Sequence, residues 1–341
     1  MPFRDIVGHR TLVALLSRSV ARGTLPPSLI LAGPAGIGKS LAAVSVAQAV
    51  NCLEPLRDVA ASDGAVLPLD ACGRCAACSR IARGVHPDVL LVVPGDNGSI
   101  KVDVVRDVVD RSHYRPFEGV RRVVVIDDAD ALVSQAQNAL LKTLEEPPSG
   151  SMFILVTSRP DALLSTVTSR CPRLRFAPLA PDDIARALIA RGVHETNARA
   201  TASIVDGSLA RALEASEDDA TGARERALEF VASIARSTDA RHRLEGTKEL
   251  LAKSVRGATD REMLAATLRV MSSLFRDLAL LGTNAEGTTL ANVDLGPALE
   301  RLSAWSGARA LDAFKAVDRA LAALERNAGV KIVADWLALN I

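Results

Sequence analysis

The chain of 341 residues is 48% hydrophobic and 24% charged, which excludes a disordered chain and leaves room for two or three domains of about 100–150 residues each. A net charge of +1 excludes a strongly basic overall footprint for nucleic acid, and an aromatic content of 3% argues against gripping single strands by base stacking. No apolar run approaches the ~18 residues of a membrane span. The opening Met1-Pro-Phe-Arg-Asp-Ile-Val lacks the charged region and apolar core of a secretory signal, so the expected compartment is cytoplasmic.

Taken in chain order, the first half alternates helical periods with short apolar runs. From about His9 to Ala21, Leu12, Leu15, Leu16 and Val20 are expected on one face of a helix. Ser28 to Gly33 then reads as a buried strand and Leu41 to Val50 as a helix. Asp88 to Val93 predicts a second strand, Val102 to Ser112 a helix, and Arg122 to Asp127 a third strand. Ser134 to Glu146 predicts a helix stopped by Pro147-Pro148. Met152 to Thr157 and Arg173 to Phe176 complete the strands. Helices between apolar strands imply a parallel sheet covered on both faces. Beyond Phe176 the strands cease. Ala177 to Pro181 reads as a linker, a small helical unit follows to about Ser216, and the acidic Glu217-Asp-Asp marks a further boundary. The remainder reads as amphipathic helix over Arg224 to Ile234, Arg243 to Ser254, Asp260 to Leu281 and Gly296 to Ala328.

Gly33-Pro-Ala-Gly-Ile-Gly-Lys-Ser40 satisfies the phosphate-binding pattern G-x-x-x-x-G-K-[ST] between a strand and a helix, the context the motif requires. Gly33, Gly36 and Gly38 let the backbone turn its N–H groups toward phosphate oxygens at a helix N-terminus. Lys39 is placed for the outer phosphates of ATP or ADP and Ser40 for Mg²⁺. Val123 to Ile126 bury a strand that leaves Asp127 at its carboxyl end, where it would hold Mg²⁺. Asp128 follows as a weak candidate for orienting the attacking water. Nucleotide binding is expected, and fast hydrolysis is not.

Four of the five cysteines fall at Cys52, Cys72, Cys75 and Cys78. Two overlapping C-x-x-C steps around Gly73 form a knuckle, and four convergent thiolates make a closed tetrahedral Zn²⁺ site of the structural kind. Cys171, far from the knuckle, is expected as a small buried hydrophobe, and His86 as a structural residue and at most a substitute ligand.

Three segments carry a resemblance. Asn138 to Pro148 resembles the helix after the Walker B strand of bacterial clamp-loader ATPase subunits. Ser169-Arg-Cys171 is similar to the S-R-C motif of those subunits and of their replication factor C relatives. Thr157 falls at the sensor-1 position. Together with His86-Pro-Asp88, these segments resemble the delta-prime branch of that family more than gamma/tau. The resemblance implies an AAA+ α/β domain over residues 1–178 with a zinc module at 52–78, a helical lid at 179–218 and a helical collar at 219–341. It implies that Arg170 acts in trans as an arginine finger on a neighbour's ATP. The implied partners are gamma/tau and delta subunits in a five-membered ring, and through it the sliding clamp and primed DNA.

Two departures from the active members stand out. Asp128 occupies the place of the usual Glu, one methylene longer. In Gly207-Ser-Leu-Ala-Arg-Ala-Leu213 the sensor-2 place holds Ala210, with Arg211 one residue late and so turned by about 100° on a helix. Both weaken catalysis in cis and leave Arg170 intact. The rival readings are a gamma/tau-type ATPase subunit and a stand-alone nucleotide-switched binding module.

Overall fold

The computed structural model describes residues 1–341 except 62–63, 96, 215–216, 237–238, 251–259, 283–291, 293–298, 300–301, 303–304, 306 and 327. The described residues form two compact units, Met1–Asp183 with Gly207–Ala210, and Ile184–Asp206 with Arg211–Ile341.

The first unit is built on a five-stranded parallel sheet in the order β4-β5-β6-β1-β7. Its strands are β1 (Ser28–Ala32), β4 (Val89–Val92), β5 (Arg122–Ile126), β6 (Ser151–Thr157) and β7 (Arg173–Arg175). Strands β1, β5 and β6 are buried along their whole length, as β-branched and aliphatic runs covered on both faces must be. Alternate residues serve opposite layers. Leu29, Leu31, Val123, Val125, Met152 and Ile154 pack with α1 (Arg10–Ala21) and α2 (Lys39–Asn51). Ile30, Val124, Ile126, Phe153 and Leu155 pack with α4 (Val102–Ser112), α5 (Ser134–Glu145) and α6 (Ser165–Thr168). The short α3 (Ala76–Ala82) lies on α2.

Three expectations needed correction. Leu15 does not share the buried face of α1 but is 44% exposed, because the core stripe runs through Val13, Leu16 and Ser17. An antiparallel hairpin of β2 (Leu56–Ala60) and β3 (Val66–Asp70) was not anticipated. The helix expected over Arg224 to Ile234 is longer, Glu217–Arg236, and starts at the acidic run.

Helices make up the second unit, among them Glu195–Ile204, Glu217–Arg236, Ala240–Leu250, Asp260–Gly282, Ala308–Glu325 and Val330–Asn340. Their core gathers Phe230, Leu268, Met271, Phe275 and Trp305. Phe275 meets Trp305 edge to face at 5.2 Å, and Arg309 lies over the indole at 4.2 Å. Residues 251–254 of one expected helix, and most of 296–306 of another, lie outside the described residues. Among the described residues no helix is long and apolar enough to cross a membrane.

Candidate functional site

The loop from Gly33 to Ser40 leaves the carboxyl end of β1 and enters α2, which places its N–H groups at the helix N-terminus. Gly38 caps α2 in a left-handed conformation (φ 98°), and a Cβ there would meet only open space. Lys39 is 6% exposed and its Nζ donates to the Pro34 carbonyl at 2.5 Å, so the ammonium lies folded back across the loop. Burial pulls its pKa down against the opposing pull of Asp127, Asp128 and Asp130. The Ser40 hydroxyl donates to Asp127 Oδ1 at 2.8 Å. The phosphate loop and the end of β5 are thus joined at the two groups that would share Mg²⁺.

Asp128 takes a left-handed backbone (φ 46°), a conformation that Asp tolerates better than most residues. Burial of its carboxyl raises its pKa, and Asp127 and Asp130 add to the rise. Asp130 itself escaped the sequence reading, although a third carboxylate in Asp127-Asp-Ala-Asp130 was a signal. It accepts from Thr157 Oγ1 at 2.8 Å, from the Ser158 N–H at 3.2 Å and from Arg159 Nε at 2.9 Å. Burial pushes its pKa up, but these donors outweigh it and hold the carboxyl below its ordinary range. The fully buried Thr157 hydroxyl therefore donates to Asp130 and accepts from the Arg159 N–H at 3.0 Å.

The segment Gly207–Ala210 lies directly against the phosphate loop. The Ala210 N–H donates to the Gly36 carbonyl at 3.0 Å, and a Cβ on Gly36 would fall 2.1 Å from Ser208 Oγ. The residue at the sensor-2 place is thus a short side chain against the loop, with no guanidinium to offer. Arg211 belongs to the helix Leu209–Glu214 and is counted with the second unit.

Arg170 lies in the turn between α6 and β7. Because β7 runs parallel to β1 with Arg173 beside Ile30, the residues leading into β7 lie toward the amino end of β1, while the phosphate loop leaves its carboxyl end. Arg170 Nε donates to Glu145 Oε1 at 2.6 Å, a second guanidinium nitrogen reaches the same oxygen, and the third donates to the Thr166 carbonyl at 2.6 Å. Both partners are partly exposed, at 31% and 47%. Glu145 was the second residue the sequence did not single out. Cys171, beside Arg170, is buried in the core, and burial raises its thiol pKa to about 11.

Cys52, at the C-cap of α2, meets Cys72, Cys75 and Cys78 with all four sulfurs within 4.8 Å of one another. Cys52–Cys75 and Cys72–Cys78 approach at 4.0 Å. A tetrahedron of Zn–S bonds of about 2.3 Å has edges of about 3.8 Å, so the four thiols fit zinc. N–H groups point at three sulfurs: Cys72 N to Cys52 Sγ at 3.2 Å, Cys75 N to Cys72 Sγ at 3.3 Å and Cys78 N to Cys75 Sγ at 3.5 Å. Burial raises the Cys75 pKa, but the N–H groups of Cys78 and Leu53 prevail and hold it at about 6, whereas burial drives Cys78 up. His86 is no ligand. Its Nδ1 accepts from the Asp88 N–H at 3.1 Å, and its Nε2 faces Glu118 at 3.3 Å.

A family model described as "DNA polymerase III, delta subunit" matches residues 8–180, just over half of the chain. The chain belongs to the AAA+ clamp-loader family of DNA polymerase III subunits. It is 35% identical over 205 residues to DNA polymerase III subunit delta' of Bacillus subtilis, covering 60% of this chain and 58% of that one. Against subunit delta' of Pseudomonas aeruginosa it is 32% identical over 243 residues, covering 71% and 66%. Against subunit tau of Bacillus subtilis it is 32% identical over 241 residues, covering 70% and 40%. The clamp-loader member thus spans between two fifths and two thirds of these relatives.

Proposed function

We propose that this clamp-loader chain is the delta-prime subunit, which supports ATP-driven loading of the sliding clamp on primed DNA and completes a neighbouring subunit's ATP site with Arg170. The observation that carries the reading is the place of Arg170. It stands away from the chain's own phosphate loop, partly exposed, and is held by Glu145, the Thr166 carbonyl and the Ser169 hydroxyl. A guanidinium forks across phosphate oxygens and stays charged, and a finger supplied in trans contributes ~10³–10⁵ in rate.

The chain's own site supports binding more than turnover. Lys39, Ser40 and Asp127 supply phosphate and Mg²⁺ contacts. Asp128 is one methylene short of the usual base, and displacing such a group by ~1 Å costs on the order of 100-fold. The Thr157 hydroxyl is committed to Asp130, and Ala210 has no charge to give. When bound, Zn²⁺ at Cys52, Cys72, Cys75 and Cys78 would cross-link the knuckle to the end of α2 and do no chemistry. The division into an ATPase domain (1–178), a lid (179–218) and a collar (219–341) belongs to this proposal, as do a cytoplasmic location and gamma/tau and delta as ring partners.

A gamma/tau-type ATPase is the second reading, favoured by the complete phosphate loop and by the match to tau. Two measurements separate the readings. Co-purification with gamma/tau and delta subunits tests membership of the ring, and the ATPase rate of the lone chain tests its own site. Slow turnover alone, with stimulation of the assembled complex by clamp and primed DNA, supports delta-prime. Turnover by the lone chain at the rate of an assembled loader would assign it to the gamma/tau type.

A further inference from the structure

The cysteine knuckle is held from outside by residues that the readings above leave without a role. Arg4, in the 3-10 turn Phe3–Asp5, donates to Asp70 Oδ2 at 2.8 Å and to the Ala71 carbonyl at 2.9 Å through one nitrogen. Its other terminal nitrogen donates to the carbonyl of Cys72, one of the four sulfur residues, at 3.1 Å. Asp70, fully buried at the end of β3, accepts from the N–H groups of Phe3 (2.7 Å), Arg4 (3.2 Å) and Ala71 (2.8 Å) as well. The carboxylate thus fixes the guanidinium, and the guanidinium fixes the peptide that carries Cys72. Gly73 follows with φ 78°, and a Cβ there would fall 3.1 Å from Pro2 Cγ, so the segment before Arg4 also closes on the knuckle. The buried Gln48 of α2 donates to the Cys78 carbonyl at 2.9 Å and accepts from the Met1 amino group at 2.7 Å.

We propose that Arg4, held by Asp70, is a positioning residue for the metal centre formed by Cys52, Cys72, Cys75 and Cys78. It rests on the zinc reading above. Four thiolates around one Zn²⁺ leave two net negative charges, and thiols must lose their protons to bind the metal. A permanent cation hydrogen-bonded to a ligand residue's own carbonyl, though shared with the Asp70 carboxylate, offsets part of that charge, and its fork holds the Cys72 peptide in the orientation that keeps its sulfur in the cluster. Outer-shell partners of this kind set metal affinity by ~10–100-fold. Lysine would keep the charge and lose the fork, so it separates the two contributions.

The test uses the full chain, wild type and as Arg4→Ala and Arg4→Lys. Zinc content is measured on protein purified without added metal, zinc affinity by competition with a chromogenic chelator, and melting with zinc and after chelation. Cobalt substitution reports sulfur geometry through its thiolate absorption. The expected result is about one zinc in the wild type, an affinity lower by ~10-fold or more in Arg4→Ala, and an intermediate value in Arg4→Lys. The melting loss of Arg4→Ala should be larger with zinc than without, and its cobalt spectrum altered. Equal melting losses in both conditions, with zinc affinity within about twofold of wild type, would make Arg4 a general packing residue and overturn the proposal. Absence of zinc from the wild type would remove the metal reading itself, and this inference with it.

Discussion

Asp88 concentrates more hydrogen bonds than any of the nucleotide-site carboxylates, yet it serves the scaffold. Its buried carboxylate accepts from the N–H groups of Phe117 (2.7 Å), Glu118 (2.9 Å) and Gly119 (2.9 Å) and from Arg122 at 2.9 Å. Arg122 in turn donates to the carbonyls of Arg111, Tyr114 and Arg115. Burial alone would raise the Asp88 pKa, but the four donors hold it at about 2. A carboxyl whose pKa is depressed on folding stabilises the fold above its unfolded value, near 4, and loses that contribution as pH falls toward 2. The lost contribution is about 2 kcal/mol. Asp88→Asn leaves the buried Arg122 charge without a counter-ion, with an expected cost of about 3–5 kcal/mol at neutral pH. Urea midpoints of the two proteins should differ by a constant amount above about pH 5 and converge as pH drops from about 4 to 2. A gap that does not change with pH would mean that the pair's charge is immaterial. Glu145 makes the opposite kind of contact. Its pairing with Arg170 is partly exposed and so is worth about 0–1 kcal/mol. If Glu145 competes with a neighbour's phosphates for the guanidinium, Glu145→Gln should raise the ATPase rate of a reconstituted complex by up to about fivefold. A fall in rate would instead make Glu145 a guide that aims the finger.

At the scale of elements, the phosphate loop and the segment Gly207–Ala210 act as one piece. Gly36 has φ 75° and no room for a Cβ beside Ser208. Gly36→Ala should therefore both strain the loop, at about 1–3 kcal/mol, and push the segment away. A lower melting temperature together with weaker nucleotide binding is expected, and a variant that melts and binds like wild type would show that the contact is dispensable. Strands β1, β5 and β6 were legible because they are fully buried parallel strands whose composition is almost wholly aliphatic. The β2–β3 hairpin was not legible, since Arg57 and Asp58 interrupt one strand and Pro68 the other, and neither shows clean alternation. Leu15 misled for a related reason. Five leucines and valines within nine residues fit more than one helical face, and only packing against the core chooses among them.

For the whole molecule, the chemistry-bearing residues were legible wherever a local motif carried them. Gly33 to Ser40, Asp127 and the four cysteines meet as their spacing implied, because each set depends on one loop, one strand end or one knuckle. Asp130, Glu145 and Arg4 were not legible, since each acts on a residue distant in sequence: Thr157, Arg170 and Cys72. Pairings of that kind are set by packing, which leaves no periodic mark. The proposed delta-prime role turns on Arg170, whose proposed target lies outside the chain. The deciding measurement is ATP turnover and clamp loading by complexes reconstituted with wild-type chain or Arg170→Ala, with the variant's own folding and nucleotide binding as controls. Arg170 is a partly exposed group in the turn before β7, so the variant should melt and bind nucleotide like wild type. The complex containing it should lose part of its ATPase and loading rates, because one site in the ring loses its finger. Normal clamp loading by the Arg170→Ala complex would contradict the trans role of Arg170 and, with it, the delta-prime reading.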